Sequence, residues 1–407
     1  MTETRRTFLA GATVVLPDRV ASDRTLVIEG DRIADIIPNG PRAIGDHEVR
    51  MDLEDALVVP GFIDVHVHGV LGDDALDGGG AVARIASRLP RYGVTAFCPT
   101  SIACAPDRLL TMLGEVGAAR QTRDNLSARV LPAHLESNFL SPDYCGAQPR
   151  VCLRAPAQVE MPDEEFSAAD ILRVIDAHVA DVGIVTLAPE INGGQALVRR
   201  LVGQGVRVSI GHSGATYDEA NDAIVAGARH GTHLFNQMRP MAHRDPGLVG
   251  AVLSSEEIAT EMICDGHHVH PAVMRVAIAA KTPSRLMAIT DGTALSGMPR
   301  GSRGVLGGRP ITAAEVARLD DGTVAGSVLT MDRAFACLVG QCNVDFVEAV
   351  QMCATTPARE LGLQGHGVIA PGAVADLVIL GAALDVRQTW IGGRPVWQAG
   401  TAAPSHS

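Results

Sequence analysis

The stretch VVPGFIDVHVHG, residues 58–69, runs apolar and then sets His66 and His68 one residue apart before Gly69. In an extended strand, residues i and i+2 face the same way. Both imidazoles therefore leave one face at the carboxyl end of the run, where two neutral rings can share one cation. The bland alternative is a pair of water-solvated histidines at an exposed strand end, so the rest of the chain has to decide. Four more metal- or proton-competent side chains close other apolar runs: Glu136 in ARVLPAHLE, His212 in VRVSIGHS, His233 in HGTHLFN and Asp291 in RLMAITDG. Six such groups at the ends of five runs read together as a divalent-metal site of carboxylates and imidazoles. Zinc is the leading expectation, and iron, manganese and cobalt suit the same donors. One ion or two is open.

Elements that could bring these side chains together are visible in the pattern. Eight apolar runs ending in polar residues are expected as strands, at 57–68, 93–101, 128–136, 183–190, 206–213, 230–236, 258–266 and 285–292. Amphipathic segments at 79–91, 106–120, 166–180, 192–203 and 271–281 separate most of them, and Thr216 with Glu219 predicts a capped helix from residue 216. Between 237 and 257 little helix is legible. Strands alternating with helices predict an α/β fold, a TIM-type (β/α)8 barrel with its chemistry at the carboxyl ends of the strands. Short β runs near both termini, including the hairpin signal Gly30-Asp31, predict a small β-sandwich domain built from residues 1–56 and 364–407. The barrel then spans 57–363, with further helices near 328–340 and 345–355.

Composition narrows the function classes. The 407 residues carry a formal net charge of -12, against nucleic acid and anionic membrane as partners. Aromatics are 3%, so the core falls to aliphatic side chains. The eight cysteines include no C-x-x-C pair, which suits a reduced, cytoplasmic protein. No apolar run approaches a membrane span. TRRTFLAGATVVL, from Thr4, has the look of a twin-arginine signal, but Pro17, Asp18 and Arg19 cut its apolar run short, and it reads better as a strand.

Taken in order, PGFIDVHVHG, HLES, TLAPE, GHSGAT, GTHLFNQM, RDPGLVG, DGHHVHP, ITDG and GTVAGSVLTMD resemble the amidohydrolase superfamily, and within it the N-acetylglucosamine-6-phosphate deacetylase family. The resemblance covers nearly the whole chain. It implies that Glu136, His212 and His233 hold a divalent metal, with a second ion at His66 and His68 bridged by Glu136. It further implies Asp291 as the catalytic aspartate, Asn236 and Gln237 at the sugar, and Arg244 at the phosphate. His268 would reach the phosphate from a neighbouring subunit of a homodimer, and backbone near Val324, Ala325 and Gly326 would touch the substrate. The implied reaction is hydrolysis of the N-acetyl group of N-acetyl-D-glucosamine 6-phosphate. Asp291 would take a proton from the attacking water and return it to the leaving amine, with Gln148 as oxyanion donor.

Departures from the family pattern leave room for neighbours of that reaction. Ser137 and Asn138 stand where the family has Gly-Pro, and Gln148 replaces a histidine that helps polarise the acyl carbonyl. A related N-acyl amino-sugar phosphate, the N-acetylgalactosamine compound or an N-formyl analogue, is the alternative substrate. A non-catalytic sensor of amino-sugar phosphates is the alternative class, and Asp291 is the residue that such a sensor would not need.

Overall fold

The computed structural model describes residues 6–42, 45, 47–122, 126–158 and 165–400. Eight parallel strands follow one another around a barrel. They are Phe62–Val67, Val94–Ser101, a third strand in two pieces (Arg129–Val130 and Ala133–Glu136), Val182–Leu187, Arg207–Ile210, His230–Gly231, Ala259–Ile263 and Leu286–Ile289. Each pairs in parallel with the next, with register shifts in the first and third strands. A parallel bridge between Val67 and Gly292 brings the first and last strands together. Parallel neighbours need long return connections, and a helix follows every strand: Ala81–Arg88, Pro106–Thr122, Ala168–Ala177, Gly194–Gly203, Tyr217–Val225, Gly247–Ser254, Pro271–Lys281 and Met331–Gly340. Thr216 caps its helix as the sequence predicts: its hydroxyl accepts from Glu219 N and the Glu219 carboxylate accepts from Thr216 N.

Strands from both termini form a separate eight-stranded sheet. Its members are Arg6–Val15, Val20–Glu29, Arg32–Pro38, Glu48–Asp52, Leu57–Pro60, Leu377–Leu380, Val386–Ile391 and Arg394–Gln398. Residues such as Leu9, Leu26, Ile33, Ile379 and Trp390 give this sheet an apolar core of its own. The described part of the twin-arginine-like segment, from Arg6, is thus a sheet strand.

Three features differ from the sequence-based expectation. The run 57–68 is two strands in two sheets, so the terminal sheet extends past residue 56. Gly61 is the pivot: its N–H bonds Asp376 O at 2.9 Å, and a Cβ there would come within 2.2 Å of Thr95 Oγ1. The connection after the sixth strand contains the helix Gly247–Ser254, six of whose eight residues are buried. Lastly, residues between the eighth strand and its helix form a three-stranded antiparallel sheet, Arg303–Leu306, Arg309–Ala313 and Ala317–Leu319, which closes one side of the site.

Candidate metal centre and substrate cavity

The six expected donors converge at the carboxyl ends of the first, third, fifth, sixth and eighth barrel strands, and all are buried. His212, His233 and Asp291 stand just beyond their strands with φ of 47°, 29° and 48°. Residues other than glycine rarely adopt this left-handed conformation, at ~1–3 kcal/mol each, and such strain collects at functional sites.

Two clusters result. Glu136 Oε1 lies 2.9 Å from His212 Nε2 and 2.9 Å from His233 Nε2, and the two ring nitrogens are 3.1 Å apart. His66 Nε2 and His68 Nε2 are 3.3 Å apart, with Asp291 Oδ1 at 3.4 Å and 3.1 Å from them. Glu136 stands between the clusters, 3.9 Å from His66 Nε2 and 3.7 Å from His68 Nε2. A cation with bonds of ~2.1 Å at tetrahedral angles spaces its donors about 3.4 Å apart. Both triangles, made only of imidazole nitrogens and carboxylate oxygens, fit such an ion.

The far ring nitrogens of three of the four histidines are held as metal-ligating histidines require, while His233 Nδ1 is buried without a partner. His212 Nδ1 bonds Tyr144 O at 2.7 Å, His68 Nδ1 bonds Thr100 O at 3.2 Å and His66 Nδ1 bonds Glu261 Oε2 at 2.9 Å. Electrostatics match. Burial opposes ionisation of Glu136, but the imidazoles of His212, His233 and His66 overcome it and hold its carboxyl well below the ordinary range. Burial likewise favours neutral His68 and His233. The carboxylates of Asp291 beside the first and of Glu136 beside the second outweigh it, lifting each to about 9. The carboxylates thus draw positive charge to the centre, as those of a cation site do.

Above the donors opens a cavity of about 440 Å³, lined by His68, Glu136, Gln148, His212, His233, Asn236, Gln237, His268, Asp291, Val324, Ala325 and Gly326 among others. The Gln148 amide is fixed at both ends: Oε1 accepts from Ala103 N at 2.8 Å, and Nε2 donates to Glu136 Oε2. Asn236 Nδ2 donates to His233 O and Leu234 O, both at 3.3 Å. His268 lines the cavity of its own chain. Its Nδ1 bonds Asp265 Oδ2 at 2.6 Å, and Nε2 is buried without a partner. Arg244 is not brought to the site. It is exposed on the loop after the sixth strand and absent from the cavity lining; the adjacent Asp245 pairs with Arg239 at 2.7 Å instead.

His134 lies two residues before Glu136 on the third strand. It is a supporting residue: Nδ1 bonds Val65 O at 2.9 Å and Nε2 bonds Thr186 Oγ1 at 2.7 Å. Ser137 and Asn138 support their loop as well, Oγ donating to Thr186 O at 2.7 Å and Nδ2 to Cys104 O at 2.8 Å. Sequence reasoning missed Glu261, and it missed the cavity positions of Glu315 and Arg318. A charged residue inside the apolar run IATEMI was the available signal for Glu261.

Comparison with known proteins agrees with this geometry. The amidohydrolase family model matches residues 57–396. The N-acetylglucosamine-6-phosphate deacetylase of Danio rerio is 36% identical over 373 residues, covering 88% of each chain. The N-acetylgalactosamine-6-phosphate deacetylase of Escherichia coli O157:H7 is 35% identical over 340 residues, covering 83% of this chain and 87% of its own. A mutant N-acetyl-D-glucosamine-6-phosphate deacetylase from Mycobacterium smegmatis, solved in complex with N-acetyl-D-glucosamine-6-phosphate, superposes with a TM-score of 0.84 at 35% identity, covering 97% of this chain and 99% of its own. With its donors at the strand ends of a parallel barrel and a family match across most of its length, this chain belongs to the amidohydrolase family.

Proposed function

We propose that the chain is a metal-dependent deacetylase that hydrolyses N-acetyl-D-glucosamine 6-phosphate to glucosamine 6-phosphate and acetate. The observation that carries the reading is the convergence of Glu136, His212, His233, His66, His68 and Asp291, all but His66 lining one cavity. A divalent cation, when bound, makes water nucleophilic at neutral pH and polarises an amide carbonyl. Zinc comes first among the candidates, and elemental analysis of protein purified without chelator decides its identity.

The side chains divide the remaining work. Asp291 takes a proton from the water that adds to the acetyl carbon, then delivers it to the sugar nitrogen as the C–N bond breaks, so the amine leaves neutral. The Ala103 N–H holds Gln148 with its amide nitrogen toward the centre, and a hydrogen of that nitrogen stabilises the developing oxyanion. One such donor is worth ~3 kcal/mol of barrier. Asn236, Gln237 and the backbone at Val324, Ala325 and Gly326 border the space for the sugar, and His268 offers Nε2 to the phosphate. Arg244 is assigned to the phosphate on the resemblance alone. A homodimer in the cytoplasm completes the proposal, which sedimentation at low concentration and cell fractionation test.

Acetate release from N-acetylglucosamine 6-phosphate by the metal-loaded protein tests the reading. Equal activity on the unphosphorylated sugar would sink it. The second reading, an N-acetylgalactosamine 6-phosphate substrate, draws on the Escherichia coli O157:H7 relative and on Ser137, Asn138 and Gln148. Specificity constants for both sugar phosphates separate the two.

A further inference from the structure

Glu261, on the seventh barrel strand, takes no part in the chemistry above, yet it lies directly beneath the donors. It is fully buried. Its Oε2 is 2.9 Å from His66 Nδ1 and 3.4 Å from His233 N. Its Oε1 has no hydrogen-bond partner and lies 3.6 Å from His134 Nδ1. Among the described residues no lysine or arginine is ion-paired or hydrogen-bonded to it. Only imidazoles, those of His134, His66 and His233, hold its charge against burial, and a buried carboxylate is costly unless positive charge balances it.

His66, His134 and Glu261 are close enough to suggest a third ion site, but hydrogen bonding excludes it. Val65 O can only accept, so His134 Nδ1 carries the ring proton, and Nε2 then accepts from the Thr186 hydroxyl. Neither nitrogen of His134 is free to ligate. The His66 ring differs. Glu261 accepts a hydrogen bond from the Nδ1–H, which leaves the Nε2 lone pair facing His68 and Asp291.

We propose that Glu261 is a positioning residue: it fixes the tautomer and direction of His66 and balances the charge of a second divalent cation held by His66, His68 and Asp291. The inference rests on the metal-hydrolase reading and goes past it, because it makes the His-x-His pair a working ligand set and names the residue that supports it.

The test is E261Q, which keeps shape and an acceptor but loses the charge, with E261M as a second variant should the first misfold. Metal-to-chain ratios and dissociation constants are measured by competition with a chelator, and the visible absorption of cobalt-loaded protein is recorded. The wild type should bind two ions. E261Q should bind the weaker ion at least ~10-fold less tightly, lose one component of the cobalt spectrum, and keep the thermal midpoint of the metal-stripped wild type. Unchanged constants and spectrum at a ratio of two would overturn the role of Glu261 and leave the hydrolase reading standing. A ratio of one, untouched by either variant, would overturn it too. A wild type that binds no divalent ion removes the hydrolase reading itself.

Discussion

Asp291 has to serve two masters, as a donor at the centre and as the group that moves protons. Burial favours its protonated form, but the hydrogen bond from His68 and the charges of His66, His68 and His233 reverse that and keep it an anion. An anion can accept a proton from water; an amide cannot. Asp291→Asn should therefore lower kcat by ~10²–10⁴-fold while substrate affinity, measured by calorimetry, changes little. A parallel collapse of affinity would mean that Asp291 holds the sugar instead. Gln148 makes a narrower claim. Gln148→Leu should lower kcat by ~10²-fold with KM little changed, and Gln148→His, which restores a ring donor, should recover most of the loss. Steady-state kinetics on the three proteins decide it.

At the scale of elements, legibility followed solvent exposure. The eight barrel strands were readable because buried parallel strands are continuous apolar runs, and the donors were readable because five of those runs ended on them. Capped helices such as Tyr217–Val225 declared themselves through Thr216 and Glu219. The helix Gly247–Ser254, sequence GLVGAVLS, did not: it is apolar almost all round, with two glycines and no polar face to set a period. The three-stranded sheet hid in short runs broken by Gly307-Gly308 and Pro310. Glu261 hid because a buried carboxylate inside a strand looks like the polar half of an alternation.

The junctions between elements yield two stability predictions. Gly61→Ala must displace Thr95, so it should cost ~1–3 kcal/mol in urea unfolding, visible as a lower midpoint. Glu360 ends the short helix Thr356–Glu360 and faces His230, 3.6 Å away, and Arg359 at 2.7 Å. Burial opposes its ionisation, but His230 and Arg359 prevail and hold it down at about 2. A depressed folded-state value means stability that is fully present above the unfolded carboxyl's ~4.5 and is lost as pH falls toward 2. Glu360→Gln should flatten the acid limb of the stability profile between those limits and leave the neutral region with a constant offset. Thermal midpoints from pH 2 to 6 check it.

For the whole molecule, the decisive fact is the spread of the donors along the chain, from His66 to Asp291 on five barrel strands. Unfolding separates them, so the folded barrel alone can hold an ion in this geometry. Whatever binds only the folded state stabilises it by RT ln(1 + [L]/Kd), which is ~1.4 kcal/mol for each tenfold rise in free ion above Kd. The slope of unfolding free energy against the logarithm of free metal therefore counts the ions released: ~1.4 kcal/mol per decade for one and ~2.8 for two. The wild type should show the steeper slope at high free metal and drop to the shallower one as the weaker ion leaves. Chelator should lower the thermal midpoint in two steps. A chain whose unfolding ignores free metal would have no common cation between His66 and Asp291, and the close approach of Glu136, His212 and His233 would then be held by hydrogen bonds alone.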